Sequence, residues 1–113
     1  MNFAEAEPIL RECLAGRTKV MPDDFMTFST QSMLGGALLG QQKFDEAEPL
    51  LLAGYEGMKQ REKSPQRGNG IRQVEAAERL VQLYEALDKK EETAKWQEEL
   101  ERLKQTASPS VAP

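Results

Sequence analysis

An eight-residue phrase occurs twice in this chain, and the duplication limits the fold more than any single residue does. Phe3-Ala4-Glu5-Ala6-Glu7-Pro8-Ile9-Leu10 returns 41 residues later as Phe44-Asp45-Glu46-Ala47-Glu48-Pro49-Leu50-Leu51. Self-similarity at a period of roughly 20–50 residues marks repeat architectures, in which each supersecondary unit buries its apolar face only by stacking on the next. A fainter third copy is read at Glu91-Glu92-Thr93-Ala94-Lys95-Trp96, with Ala94 in the place of Ala47 at a spacing stretched to 47 residues.

Helical spacing of apolar residues then divides the chain into five segments, at about 3–19, 25–41, 45–63, 71–87 and 91–105. In the first, Phe3, Ala6, Ile9, Leu10, Cys13 and Leu14 share a face, and Pro8 falls within about the first turn, where a missing donor costs least. Asn2 or Ala4 stands near its cap. The second segment opens after Asp23-Asp24 and carries Phe28, Leu34, Ala37 and Leu38 inward. Its three glycines, Gly35, Gly36 and Gly40, cost roughly 1 kcal/mol each relative to alanine and predict close helix approach. Gln42-Lys43 is short enough to force an antiparallel partner. Asp45 is the expected cap of the third segment, with Ala47, Leu50, Leu51, Gly54, Tyr55 and Met58 inward.

Ser64-Pro65-Gln66-Arg67-Gly68-Asn69-Gly70 reads as the one long, mobile connection. Val74, Ala77, Leu80, Val81, Tyr84 and Leu87 form the inner face of the fourth segment. The fifth is apolar only along Trp96, Leu100 and Leu103, which suits a terminal cap. Residues 1–105 are read as one helical repeat domain and 106–113, small residues and prolines, as a disordered tail.

Composition removes several functions. The 113 residues carry a net charge of −4, 30% charged and 39% hydrophobic side chains, no histidine and one cysteine. An acidic balance argues against a nucleic-acid binder. Without histidine the commonest general base and metal ligand are both missing, and one cysteine permits no internal disulfide. No apolar run reaches a membrane-spanning length and the N-terminal residues lack a signal-peptide pattern, so a soluble cytoplasmic protein is expected, with no membrane partner.

Leu34-Gly35, Leu38, Ala47, Leu51 and Gly54 fall at offsets that resemble the tetratricopeptide repeat, and Leu80, Tyr84, Ala94 and Trp96 take similar places in the next hairpin. The period of 41 and the phrase Glu-Ala-Glu-Pro-Leu-Leu resemble the long-repeat subclass found in kinesin light chains. The wording from Thr27-Phe28 through Met58, followed by Leu80-Val81-Gln82-Leu83-Tyr84, is similar to repeats that follow the catalytic domain of some bacterial serine/threonine protein kinases. This resemblance implies an all-α, right-handed solenoid of five antiparallel helices: a lone second-of-pair helix whose first member is missing, then two hairpins.

Candidate chemistry reduces to plain structure. Asp23-Asp24 is a helix cap, Glu91-Glu92 and Glu98-Glu99 are solvated helix faces, and Cys13 is a small packing residue with no base beside it. Neither Gly35-Gly36 nor Gly68-Asn69-Gly70 has the setting of a phosphate loop. Trp96 reads as a core anchor. Lys59, Arg61, Lys63, Arg67 and Arg72 read as dipole complementation and a solvated loop.

What remains is recognition. By the resemblance, a concave groove is lined by Ser29, Ser32, Gly36, Leu39 and Gly40 from the second helix and by Glu75, Glu78, Gln82 and Glu85 from the fourth. It implies a non-catalytic interaction module, without cofactor or metal, for a basic or apolar peptide or partner helix. The alternatives are a segment regulating a kinase in cis, and self-association through Phe3, Ile9, Leu10 and Leu14.

Overall fold

The computed structural model describes residues 2–61 and 69–107, with side chains described for 2–61 and 71–105. Five helices follow one another: α1 (Phe3–Val20), α2 (Phe25–Gly40), α3 (Phe44–Gln60), α4 (Asn69–Ala86) and α5 (Lys90–Ala107). No strand occurs among the described residues. The all-α class and the helix order agree with the sequence reading; the starts of α1 and α2 coincide with it and the other ends shift by one to three residues. The helical ends Asn69-Gly70 and Thr106-Ala107 continue where a loop and a tail were expected, while 62–68 and 108–113 lie outside the described residues.

Local chemistry sets the helix starts. Asn2 caps α1, its Oδ1 accepting from the Glu5 amide at 2.8 Å, and Asp24 caps α2 by accepting from the Met26 amide at 2.8 Å. Each satisfies a donor that the first turn leaves without a helical partner. The expected cap at Asp45 is corrected. Lys43 holds the cap position of α3 without a side-chain bond, and Asp45 lies inside the first turn with Glu46. The reason is the preceding turn, where Gln42 takes the left-handed conformation at φ 65° and the Lys43 amide donates to the Leu38 carbonyl at 2.9 Å. That closure fixes the direction in which α3 leaves, and no side-chain cap is required. Asp45 and Glu46 still suit the positive end of the helix.

Pro8 also sits deeper than expected, at the sixth residue of α1, and Pro49 holds the same place in α3. Each removes one backbone bond early in its helix.

The same turn recurs between α4 and α5, with Asp88 at φ 58° and the Lys89 amide donating to the Tyr84 carbonyl at 2.9 Å. Lys89 follows Lys43 by 46 residues, so Thr93, not Ala94, occupies the place of Ala47. Ala94 is exposed accordingly. Sequence identity at alanine misplaced this register by one residue; the backbone closure sets it.

Each helix packs against its neighbours in the chain, and α2 also meets α4. The core runs through Leu34, Leu38, Leu51, Met58, Leu80, Leu83 and Tyr84, closed at one end by Trp96 and Leu103. Trp96 meets the Tyr55 ring edge-on, the centroids 4.9 Å apart, a favoured geometry for an aromatic pair. The glycines of α2 do permit close approach: a Cβ added at Gly35 would stand 2.8 Å from the Leu51 side chain.

The two copies of the phrase do not share an environment. Ala47 is fully buried, whereas Ala6 is only half-buried, and none of α1's residues is buried. α3 lies against both α2 and α4; α1 packs along α2 and reaches α3 through the Arg11–Glu46 ion pair at 3.0 Å.

Candidate functional site

Two concavities bracket this core. The first, a groove of about 460 Å³, is lined by Phe3, Ala6 and Leu10 of α1, by Met33, Gly36, Leu39 and Gly40 of α2, and by Arg79 and Gln82 of α4. Small residues on α2 make room for it. Phe3 lies across Gly40, and the Arg79 side chain crosses Gly36 so closely that a Cβ there would be 2.8 Å from Nε. Arg79 continues to Ser32, donating to Oγ from Nη1 at 3.0 Å. Burial pulls the Arg79 pKa below its ordinary value, with Glu75 and Glu78 partly offsetting that effect.

Of the residues expected to line a groove, Gly36, Leu39, Gly40 and Gln82 do come together here. Ser29 and Ser32 are 2% and 0% exposed and present no free side chain to a ligand. Helix α3 covers this part of α2, the Gly54 backbone lying on Ser32, and Arg79 takes the Ser32 hydroxyl. Glu75 and Glu78 are half-buried on α4, and Glu85 is exposed beside the α4–α5 turn in a separate shallow depression with Asp88 and Lys89. Sequence reasoning did not place Arg79, Met33 or the α1 residues in this groove, although it named Phe3 and Leu10 as a self-association face. Arg79 follows Glu75 by one helical turn, but nothing in that spacing shows that its side chain reaches across Gly36.

The second concavity, about 710 Å³, lies between α3 and α5 and is lined by Leu52, Tyr55, Lys59, Trp96, Glu99 and Arg102 among others. Here Tyr55 donates its hydroxyl to Glu99, and Arg102 pairs with the same carboxylate at 2.6 Å. Lys95 stands 5.7 Å from the Trp96 ring centroid. Burial, then the hydrogen bond to Glu99, raises the Tyr55 pKa above the usual phenol range. Tyr84 is raised in the same way by burial and by its bond to Glu48 at 2.8 Å. These pairs tie α3 to α5 and to α4.

Glu7 plays the corresponding part on α1, accepting from Gln41 at 2.9 Å, from Arg11 at 2.8 Å and from Lys43 at 3.3 Å. Glu7 and Glu48 are the same letter of the repeated phrase, and each fastens its helix to the hairpin that follows. The Gln41 bond first, then Arg11, lowers the Glu7 pKa from 4.5 to about 2. The Arg102 bond first, then the Tyr55 hydroxyl, lowers Glu99 from 4.5 to about 2.

A carboxylate held below its unfolded pKa adds stability that is complete above that value and is lost as pH falls through the folded one. Stability therefore declines between pH 4.5 and about 2 as Glu7 and Glu99 are protonated. Because the Arg102 side chain is 54% exposed, solvent screening holds the Glu99 contribution to about 1 kcal/mol or less. Glu99→Gln is expected to lower the urea midpoint at pH 7 and to lower it far less at pH 2, where the folded-state carboxylate is about half protonated. An equal loss at both pH values would remove the carboxylate from this role.

No group of three or more metal-ligating side chains occurs among the described residues. No described helix is long and apolar enough to cross a membrane. Comparison of the chain with protein-family models, with curated proteins and with solved structures found no match.

Proposed function

We propose that the chain is a tetratricopeptide-like right-handed helical array that acts as a protein-protein interaction module, a relative or a part of a repeat region attached to a bacterial serine/threonine kinase. The observation that carries the binding role is the groove bounded by α1, α2 and α4. Phe3, Leu10, Met33 and Leu39 give it apolar walls, Gly36 and Gly40 give it depth, and Asn2, Arg79 and Gln82 are its polar members. Sites that take a partner segment combine such an apolar lining with a few placed polar groups. The repeat reading is supported by the two turns that recur 46 residues apart and by the packing of α2 against both α3 and α4. The kinase connection rests on the sequence resemblance alone.

The ligand that suits this groove is an apolar segment with basic residues toward Glu75 and Glu78, and no chemical step is assigned to the protein. Selection of displayed peptides on the immobilised chain is the test. Recovered ligands are expected to lose about tenfold in affinity when Leu39→Asp puts a charge in the apolar wall. Recovery of no ligand, or of ligands indifferent to both Leu39→Asp and Glu78→Lys, would count against groove binding.

A further inference from the structure

The repeated phrase continues past its eighth residue in space, and the two copies keep different company. On α3, Leu51, Gly54 and Gly57 form the seat on which α2 lies. A Cβ at Gly54 would be 2.9 Å from both the Phe28 carbonyl oxygen and the Ser32 amide nitrogen, and one at Gly57 would be 2.2 Å from the Phe28 ring. The residues 41 positions earlier are Leu10, Cys13 and Gly16. A Cβ at Gly16 meets no described atom within 4 Å. On the same helical arc Ile9 and Val20 are 62% and 75% exposed, and Ala6 and Leu10 open into the groove shared with Met33 and Gly40.

We infer that this face of α1 is a docking seat for an α-helix from a partner protein, built as α2 is built. It runs antiparallel to α1, lays an aromatic ring on Gly16, and brings small residues four and seven positions later against Cys13 and Leu10. The inference rests on the interaction-module reading and names the surface and the partner chemistry. The occupant follows from what covers the equivalent surface in the same molecule: Phe28, Ser32 and Gly35 of α2, against Gly57, Gly54 and Leu51.

Charge points the same way. The acidic start of α2 meets the basic end of α3, where Arg61 donates to the Asp23 carbonyl at 2.5 Å and lies 3.4 Å from its carboxylate. α1 likewise ends in Arg17 and Lys19 and carries Glu5 and Glu12 nearer its start. A partner helix that begins with acids and ends with bases is complementary in this direction only. A second copy of the chain is a poorer occupant. Outside α2, no aromatic residue in the sequence is followed four and seven positions later by small residues, and α2 is already seated on its own α3. Cys13 differs from Gly54 in carrying a Cβ, so the incoming backbone stands farther off and micromolar affinity is expected.

The probe is a labelled synthetic peptide of residues 22–41 with two added C-terminal lysines, titrated into the full chain. Saturable micromolar binding is expected, weakened about tenfold or more by Gly16→Gln, which places a side chain where the ring must lie. Gly16→Gln removes a helical glycine in open surroundings, so its thermal midpoint stays at or above that of the parent chain. Phe28→Ala in the peptide is expected to weaken binding equally, and Glu78→Lys in the protein to leave it intact. No saturable binding, or equal binding to the parent and Gly16→Gln chains, would overturn the inference. So would sedimentation showing a dimer that Gly16→Gln returns to monomer, since the seat would then belong to a second copy. Displayed peptides that depend on Leu39, without binding of the helix probe, would remove this seat and leave the module reading standing; failure of both would remove both.

Discussion

Gly54→Ala lowers the stability of the fold by about 1–3 kcal/mol, the usual range for overpacking a filled interior. Alanine is the better helix former by up to about 1 kcal/mol, so on an isolated helix the same change would stabilise. Here the added methyl would stand 2.9 Å from backbone atoms of Phe28 and Ser32, and backbone cannot turn aside as a flexible side chain can. α2 must move away from α3, loosening Gly35 from Leu51 along the same seam. Gly16→Ala has the opposite sign, a gain of roughly 0.5–1 kcal/mol, because nothing described lies within 4 Å of its new methyl. Denaturant unfolding of the two variants measures both. A gain at Gly54, or a loss at Gly16, would show that the helices are not packed as described.

Leu51→Ala is expected to cost about 2–5 kcal/mol, the range for truncating a large side chain at a fully enclosed site. Leu51 is 0% exposed and fills the space that the absent Cβ of Gly35 leaves between α2 and α3. Leu10 occupies the same letter of the repeated phrase but is half-buried and borders the open groove. Truncating it sheds less contact and leaves no closed cavity, so a loss of about 1 kcal/mol or less is expected for Leu10→Ala. Equal losses for the pair, measured by urea unfolding at pH 7, would mean that the two copies are equally enclosed.

These contrasts show which parts of the molecule the sequence could disclose. Apolar residues at three and four positions apart, with breakers at Pro22-Asp23-Asp24 and Gln42-Lys43, announced five helices and most of their inner faces. Spacing reports which side of a helix is apolar, though not whether a neighbour covers it: Phe3 and Ile9 on the apolar face of α1 stay exposed. It does not report how a turn closes: Gln42 at positive φ displaced the expected cap from Asp45, and Asp88 fixed a register in which Ala94 faces outward. The family resemblance puts Ser29 and Ser32 in the groove, yet both are buried, with the α3 backbone lying on Ser32 at Gly54 and Arg79 taking its hydroxyl. Arg79 was passed over for a related reason. Its reach over Gly36 to Ser32 depends on the distance between α2 and α4, which no pattern within either helix encodes. The groove was legible as small residues on α2, whereas the contribution of α1 required the crossing of two helices.

The position of α2, touching α1, α3 and α4, bears on how the molecule comes apart. A row of hairpins that meet only end to end can melt piecemeal, one unit at a time, because each interface is shared by just two neighbours. Here a single slender helix is the common wall of three interfaces, so its loss withdraws support from both hairpins together. Cooperativity in so short an array therefore draws on its least bulky member together with α3, which α5 joins through Trp96 and Glu99.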